Sequence, residues 1–128
     1  MKAIQFDNSF KALIPDTWEL QKEDNTYSIY DSLEGVGALN VTTYTITDAK
    51  LLNVVDELRE YLDDNYEEVN VTSTKEYAYA EKIDQDGIYW RYWMLKGVKS
   101  VMLISYNCDA GTKCNEKEVI NAIIASLL

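Results

Sequence analysis

Residues 84–107 read DQDGIYWRYWMLKGVKSVMLISYN, and this stretch decides the fold. Side chains alternate faces along a strand. Ile88, Trp90, Tyr92 and Met94 therefore share one face, and Tyr89, Arg91, Trp93 and Leu95 share the other. Both faces carry large apolar groups, whereas a strand wet on one side shows a cleaner apolar/polar alternation. The pattern predicts a central strand over 87–95, covered on both sides. A second such strand is predicted over 98–106, with Val101, Leu103 and Ser105 set against Met102, Ile104 and Tyr106. Lys96-Gly97 suits a two-residue turn between them, because glycine accepts positive φ at little steric cost. Asp86-Gly87 is a turn signal of the same kind, leading back to a third strand at about 75–83 and completing a meander.

Upstream, 3–6 and 10–14 alternate as two short strands about Asp7-Asn8, and Pro15, which lacks an N–H, ends the second. Trp18 is expected to fold back onto the sheet as a plug. A strand over 27–31 puts Tyr27 and Ile29 on one face; Leu33-Glu34-Gly35 turns the chain into a β-branched strand over 36–46. The period then changes. Leu51, Val54, Val55, Leu58, Tyr61 and Leu62 recur at three and four, which is a helical stripe with Asp48 as the expected N-cap. A short strand is expected over 69–72. Val119, Ile120, Ile123, Ile124 and Leu127 form the stripe of a final helix, with Asn115 and Glu118 spaced as a capping box. Two amphipathic helices and an antiparallel sheet buried on both faces predict a single α+β domain, an α/β/α sandwich over 1–128. With two helices alone, the N-terminal hairpin and the Trp18 loop must help to cover the sheet.

The chain has 128 residues, 47% hydrophobic, enough for a core without metal or disulfide staples. It holds 12 Lys+Arg against 22 Asp+Glu, a net charge of −10. Nucleic-acid binding requires a basic footprint and is excluded as an expectation. No run of about 18 apolar residues spans a bilayer. MKAIQFDNSFK carries no signal-peptide pattern, so the expected location is the cytoplasm, or outside it if Met1 stands in place of a removed leader.

There is no histidine. That removes the commonest general base, the Ser-His triads and most zinc sites. No phosphate-binding glycine loop is present. Asp84-Gln85-Asp86-Gly87 opens like a calcium loop but lacks the later ligands, so a turn is the better reading. The expectation is therefore no catalytic residue, no metal and no cofactor. Cys108 and Cys114 flank a loop long enough for a disulfide, while the leaderless start favours free thiols.

Two patterns stand out as binding candidates. Glu57, Glu60, Asp63, Asp64, Glu67 and Glu68 concentrate negative charge along the first helix and the loop after it. Such a face can steer and orient a basic partner; its plain alternative is a solvated helix surface. Asp63 and Asp64 fall at the helix C-terminus, where negative charge opposes the helix dipole. Trp90, Tyr92 and Trp93 are the second candidate, an aromatic ligand pocket between sheet and helix, set against a core role.

Several of these residues resemble the Mog1/PsbP-like superfamily. Phe10-x-x-x-Ile14-Pro15-x-x-Trp18 is similar to its opening strand and turn, and Gly37-Ala38-Leu39-Asn40-Val41 to the strand that follows. The helix over 51–62, Tyr89-Trp90, Ile104-Ser105-Tyr106 and Ile124-Ala125-Ser126-Leu127 fall in the expected order. The likeness is nearest to its small bacterial members, the DcrB-like proteins among them. The resemblance implies an antiparallel sheet flanked by helices and binding without catalysis. Its members look like a nuclear-transport factor that binds a small GTPase, photosystem extrinsic subunits, and chaperone-adaptors for secreted toxins. The matched positions are fold positions, so the resemblance carries over no functional residue.

These readings predict a non-catalytic protein-binding module, of adaptor, chaperone or immunity type, for a basic or apolar protein segment. The alternative is a small-molecule or lipid binder using the aromatic pocket. The two-sided apolar strands are either satisfied within the chain or paired with a second copy as a homodimer.

Overall fold

The computed structural model describes residues 1–6, 10–46, 53–65, 70–74, 76–97, 99–113 and 115–128; at 64 and 65 it describes the backbone. Nine strands and two α-helices are seen among them. β1 (Lys2–Gln5) and β2 (Lys11–Ile14) form a separate antiparallel hairpin. β3 (Glu19–Glu23), β4 (Thr26–Tyr30), β5 (Gly37–Thr45), β6 (Thr72–Ser73), β7 (Tyr77–Ile83), β8 (Ile88–Lys96) and β9 (Ser100–Asp109) form an antiparallel sheet, in the order β3-β4-β5-β9-β8-β7-β6. The expected meander is β7-β8-β9. It sits inside the sheet, with β5 pairing along its far side, and both faces of β8 and β9 are apolar because a helix packs on each.

The two faces divide the core. Ile29, Leu39, Val41, Trp93, Met102 and Ile104 point to one side, where α2 (Lys117–Leu127) meets them with Ile120, Ile123 and Ile124. The β1–β2 hairpin and Trp18, 5% exposed, complete that cover as the apolar pattern required. On the other side Tyr92, Met94, Val101 and Leu103 pack beneath α1 (Val54–Asn65), which lays Leu58 and Leu62 on them. Complete burial of such aliphatic side chains stabilises by about 1.5–3 kcal/mol each. Helices on opposite faces of an antiparallel sheet make the α+β sandwich that the sequence predicts.

Four local expectations are corrected. β3 is a strand that the hydrophobic pattern misses, because all five of its residues are exposed. Charge along such an edge blocks pairing with other chains. It turns into β4 through Asp24-Asn25, with Asp24 at φ 54°, a conformation that Asp tolerates better than most side chains. α1 is capped by Asn53, whose Oδ1 accepts from the amides of Val55 (3.0 Å) and Asp56 (3.2 Å). The expected cap Asp48 and the first stripe residue Leu51 lie outside the described residues, as does Val69 of the strand expected over 69–72, where β6 is seen. The β8–β9 connection is longer than two residues, since the register pairs Lys96 with Val101, while the Gly97 amide donates to the Ser100 carbonyl at 2.8 Å. The Asn115–Glu118 capping box does not form: α2 starts after Glu116, whose side chain is drawn into the core instead.

Asp86-Gly87 behaves as expected. Gly87 has φ +79°, and its amide donates to the Asp84 carbonyl at 3.1 Å. Asp84 Oδ1 accepts from the Asp86 and Ile88 amides, and Oδ2 accepts from the Trp90 indole at 3.0 Å. Those bonds, the Ile88 amide first, hold the Asp84 carboxyl below the usual carboxylate range. The residues that suggested a calcium loop are thus a turn that anchors a tryptophan. Among the described residues no cluster of metal-ligating side chains is found. Cys108 is a buried free thiol; Cys114 lies outside the described residues.

Candidate functional site

The acidic candidates are placed by α1. Its apolar stripe faces the sheet, so Glu57, Glu60 and Asp63 are exposed on the outer side. Asp64 is in the helix, while Glu67 and Glu68 lie outside the described residues. The last turn of α1 holds no basic residue to offset Asp63 and Asp64 against the dipole. Arg59 pairs with Asp56 at 3.6 Å on the exposed surface, a contact worth little.

Glu57 and Glu60 do more than face solvent. Together with Tyr44, Tyr61, Met94 and Leu103 they line a groove of about 350 Å3 between α1 and the sheet. The floor is apolar, since Met94, Val101 and Leu103 come up from β8 and β9. Tyr44, 45% exposed, forms part of the wall. Two carboxylates thus rim an apolar depression. That arrangement suits a ligand with an apolar anchor and adjoining positive charge.

The aromatic candidates are split by strand alternation. Trp90 and Tyr92 lie on the α1 face, stacked in parallel with ring centroids 5.9 Å apart, and Trp90 is tied to Asp84. Tyr92 is 1% exposed, in the core beneath α1. Trp93 lies on the opposite face, packed against Tyr79 across the strands at 5.5 Å. The three are not brought to one cavity.

Trp93 is instead part of a second depression, which residue patterns alone do not reveal. It is also about 350 Å3 in volume and lies between β7, β8 and the exposed flank of α2. At its centre is Arg91, 8% exposed. The guanidinium lies over the Trp93 ring at 4.5 Å and the Tyr79 ring at 5.5 Å. Its Nε donates to Tyr79 Oη at 3.0 Å and its Nη2 to Asn121 Oδ1 at 2.7 Å. Tyr79 Oη donates onward to Glu81 Oε2 at 3.0 Å, and Tyr89 Oη donates to the same oxygen. The Tyr89 bond chiefly, with that from Tyr79 and the Arg91 charge, holds the Glu81 carboxyl below its ordinary range. Burial, reinforced by Glu81, pushes the Tyr89 phenol up, and burial likewise raises Tyr79. Asn121 is the one signal for this site in sequence, a polar residue beside the apolar stripe of α2.

A third polar cluster is structural. Glu116, 7% exposed, accepts from Tyr106 Oη at 2.7 Å and from the Gly37 amide at 3.1 Å. Burial and the Glu116 bond raise the Tyr106 phenol. Gly37 permits this approach, because a Cβ there would run into the Asn107 carbonyl and stand 2.7 Å from Tyr106 Oη.

The architecture has counterparts among solved structures. It is similar to cyanobacterial PsbP (CyanoP) from Synechocystis sp. PCC 6803, at TM-score 0.65 and 12% identity, over 94% of this chain and 86% of that one. It is also similar to a protein from Bacteroides thetaiotaomicron, at TM-score 0.62 and 12% identity, over 93% of this chain. The chain spans 44% of the length of that Bacteroides protein. No protein-family profile and no curated protein matches the chain. The fold is thus the Mog1/PsbP-like one that the sequence motifs resemble. At 12% identity the likeness is one of fold and assigns no site residue. No helix among the described residues is long and apolar enough to cross a membrane.

Proposed function

We propose that this chain is a non-catalytic protein-binding module that docks a basic segment of a partner protein along α1, with an apolar side chain of that segment seated in the α1–sheet groove. One observation carries the reading: Glu57 and Glu60, picked out as part of an acidic face, also rim an apolar groove. Acidic side chains steer encounter and fix orientation, while a desolvated apolar anchor supplies most of the affinity. Asp63 extends the negative surface toward the helix end, and Asp64, Glu67 and Glu68 continue the acidic run in sequence. The absence of histidine from the chain and the binding roles implied by the superfamily resemblance point the same way.

The test starts from a tagged chain used to isolate a stoichiometric partner from the native lysate. The affinity of the purified pair is then measured at low and high salt. The expected result is binding that weakens as salt rises, falls about tenfold or more in the folded Glu57→Lys/Glu60→Lys variant, and falls again when Tyr44 becomes Ser. Binding unchanged by salt and by the double reversal contradicts the reading.

A further inference from the structure

We propose that the depression around Arg91 is a binding site for a small organic carboxylate with an apolar body. Arg91 is a cation buried in a strand of the central meander, and among the described residues no carboxylate forms an ion pair with it. Its two hydrogen-bonded partners, Tyr79 and Asn121, are neutral. A buried charge left in that state is costly, and the cost falls when an anion reaches it. Glu81 offsets it through Tyr79 without touching it.

The free donors point the same way. A guanidinium has five N–H groups in a fixed fork, and the described contacts use one on Nε and one on Nη2. Asn121 accepts from Arg91 through Oδ1, which leaves its Nδ2 as a further donor at the pocket wall. Stacking on Trp93 and Tyr79 fixes the plane of the fork, so little side-chain entropy remains to be lost on binding. A single planar fork flanked by an amide suits a carboxylate, which accepts two parallel bonds.

The walls set the rest of the ligand. Tyr77, Trp93, Ile124 and Leu128 present apolar surface beside the fork. The volume of about 350 Å3 lies at the small end of ligand pockets, which run from about 300 to 1,000 Å3. This fits one ring or a short acyl chain attached to the carboxylate. The pocket lies on the α2 side of the sheet, away from the α1 groove, so both sites can be filled together.

The test uses phenylacetate, indole-3-acetate and hexanoate, with phenylethanol as the uncharged counterpart, titrated at millimolar concentration into the full chain and followed by backbone and indole amide shifts. The expected result is saturable binding of at least one carboxylate, with shifts centred on Tyr79, Arg91, Trp93 and Asn121 and none from phenylethanol. Arg91→Gln should weaken that binding about tenfold or more, the loss expected for a bond to a charged group. If Arg91→Gln fails to fold, Asn121→Asp serves, because the new carboxylate occupies the fork from within and abolishes binding. No saturation by any of the three acids, equal binding of phenylethanol, shifts centred elsewhere, or full binding by Asn121→Asp would each overturn the proposal.

Discussion

On the α2 face of the sheet, the charged side chains of Glu116 and Arg91 are drawn into the core and hydrogen-bonded there; on the α1 face the carboxylates of Glu57 and Glu60 stay at the rim. Glu116 binds Tyr106 and Gly37 beneath the start of α2, and Arg91 reaches Asn121 on its flank. Even the edge of the hairpin is tied down, since the Leu13 amide donates to Ser126 Oγ at 2.9 Å. α1 is held differently. Leu58 and Leu62 carry it, and Asp56, Glu57, Glu60 and Asp63 stay exposed. Beyond its reach the same face of β4 and β5 is polar, laddered by Thr26–Thr42 and Ser28–Asn40 hydrogen bonds at 3.1 and 2.8 Å. The difference separates duties. A helix locked by specific hydrogen bonds fixes the fold, while one attached by a greasy stripe leaves its outer surface for other molecules.

The largest effect expected from breaking this pattern is at Leu58. Leu58→Ala should cost about 3 kcal/mol, read as a fall in urea midpoint, because the site is fully buried and α1 has few other anchors. A loss below about 1 kcal/mol would mean that α1 is held by something other than its stripe. Next comes Glu116→Ala, which strands the Tyr106 hydroxyl and the Gly37 amide and should cost about 2 kcal/mol. Glu116→Gln keeps an acceptor and should cost clearly less. Equal losses in the two variants would show that packing, not hydrogen bonding, matters there.

Much of this architecture is legible in the sequence, and what is not has physical causes. The meander is readable because β8 and β9 bury both faces, so large apolar residues occupy both registers. The stripe of α2 is readable for the same reason at helical period. β3 is invisible to that logic, since none of its five residues is buried; Asp24-Asn25 is the one local signal for it. The cap of α2 is misread because Glu116 takes bonds from residues 10 and 79 positions away, a long-range competition that local spacing cannot encode. Arg91 is hidden likewise: in sequence it is a polar interruption, and its role depends on Asn121, 30 positions on. The acidic face is plain from composition and helical period, but the groove beside it is not, because Tyr44, Met94 and Leu103 come from three different strands.

The smaller effects sharpen the contrast. The Glu81 carboxyl has a folded pKa depressed below its ordinary value of 4.5, chiefly by the Tyr89 hydrogen bond. Its stabilisation is therefore complete above the unfolded value and lost as pH falls through the folded one. Urea midpoints measured from pH 6 downward should fall more steeply for the parent chain than for Glu81→Gln; parallel curves would remove Glu81 from the acid limb. The smallest effect is at Asp63. Asp63→Asn relieves charge at the C-terminal end of α1 and should raise stability by about 0.5 kcal/mol, while weakening capture of the partner. A residue that serves binding at some cost to the fold moves the two readouts in opposite directions.

The most direct test of the docking account is hydrogen exchange of the chain alone and in complex with its purified partner. The account predicts slowed exchange along α1 and at Tyr44 and Thr45 of β5, with the β1–β2 hairpin and α2 unchanged. Protection confined to the hairpin and α2, with α1 exchanging as in the free chain, would contradict it.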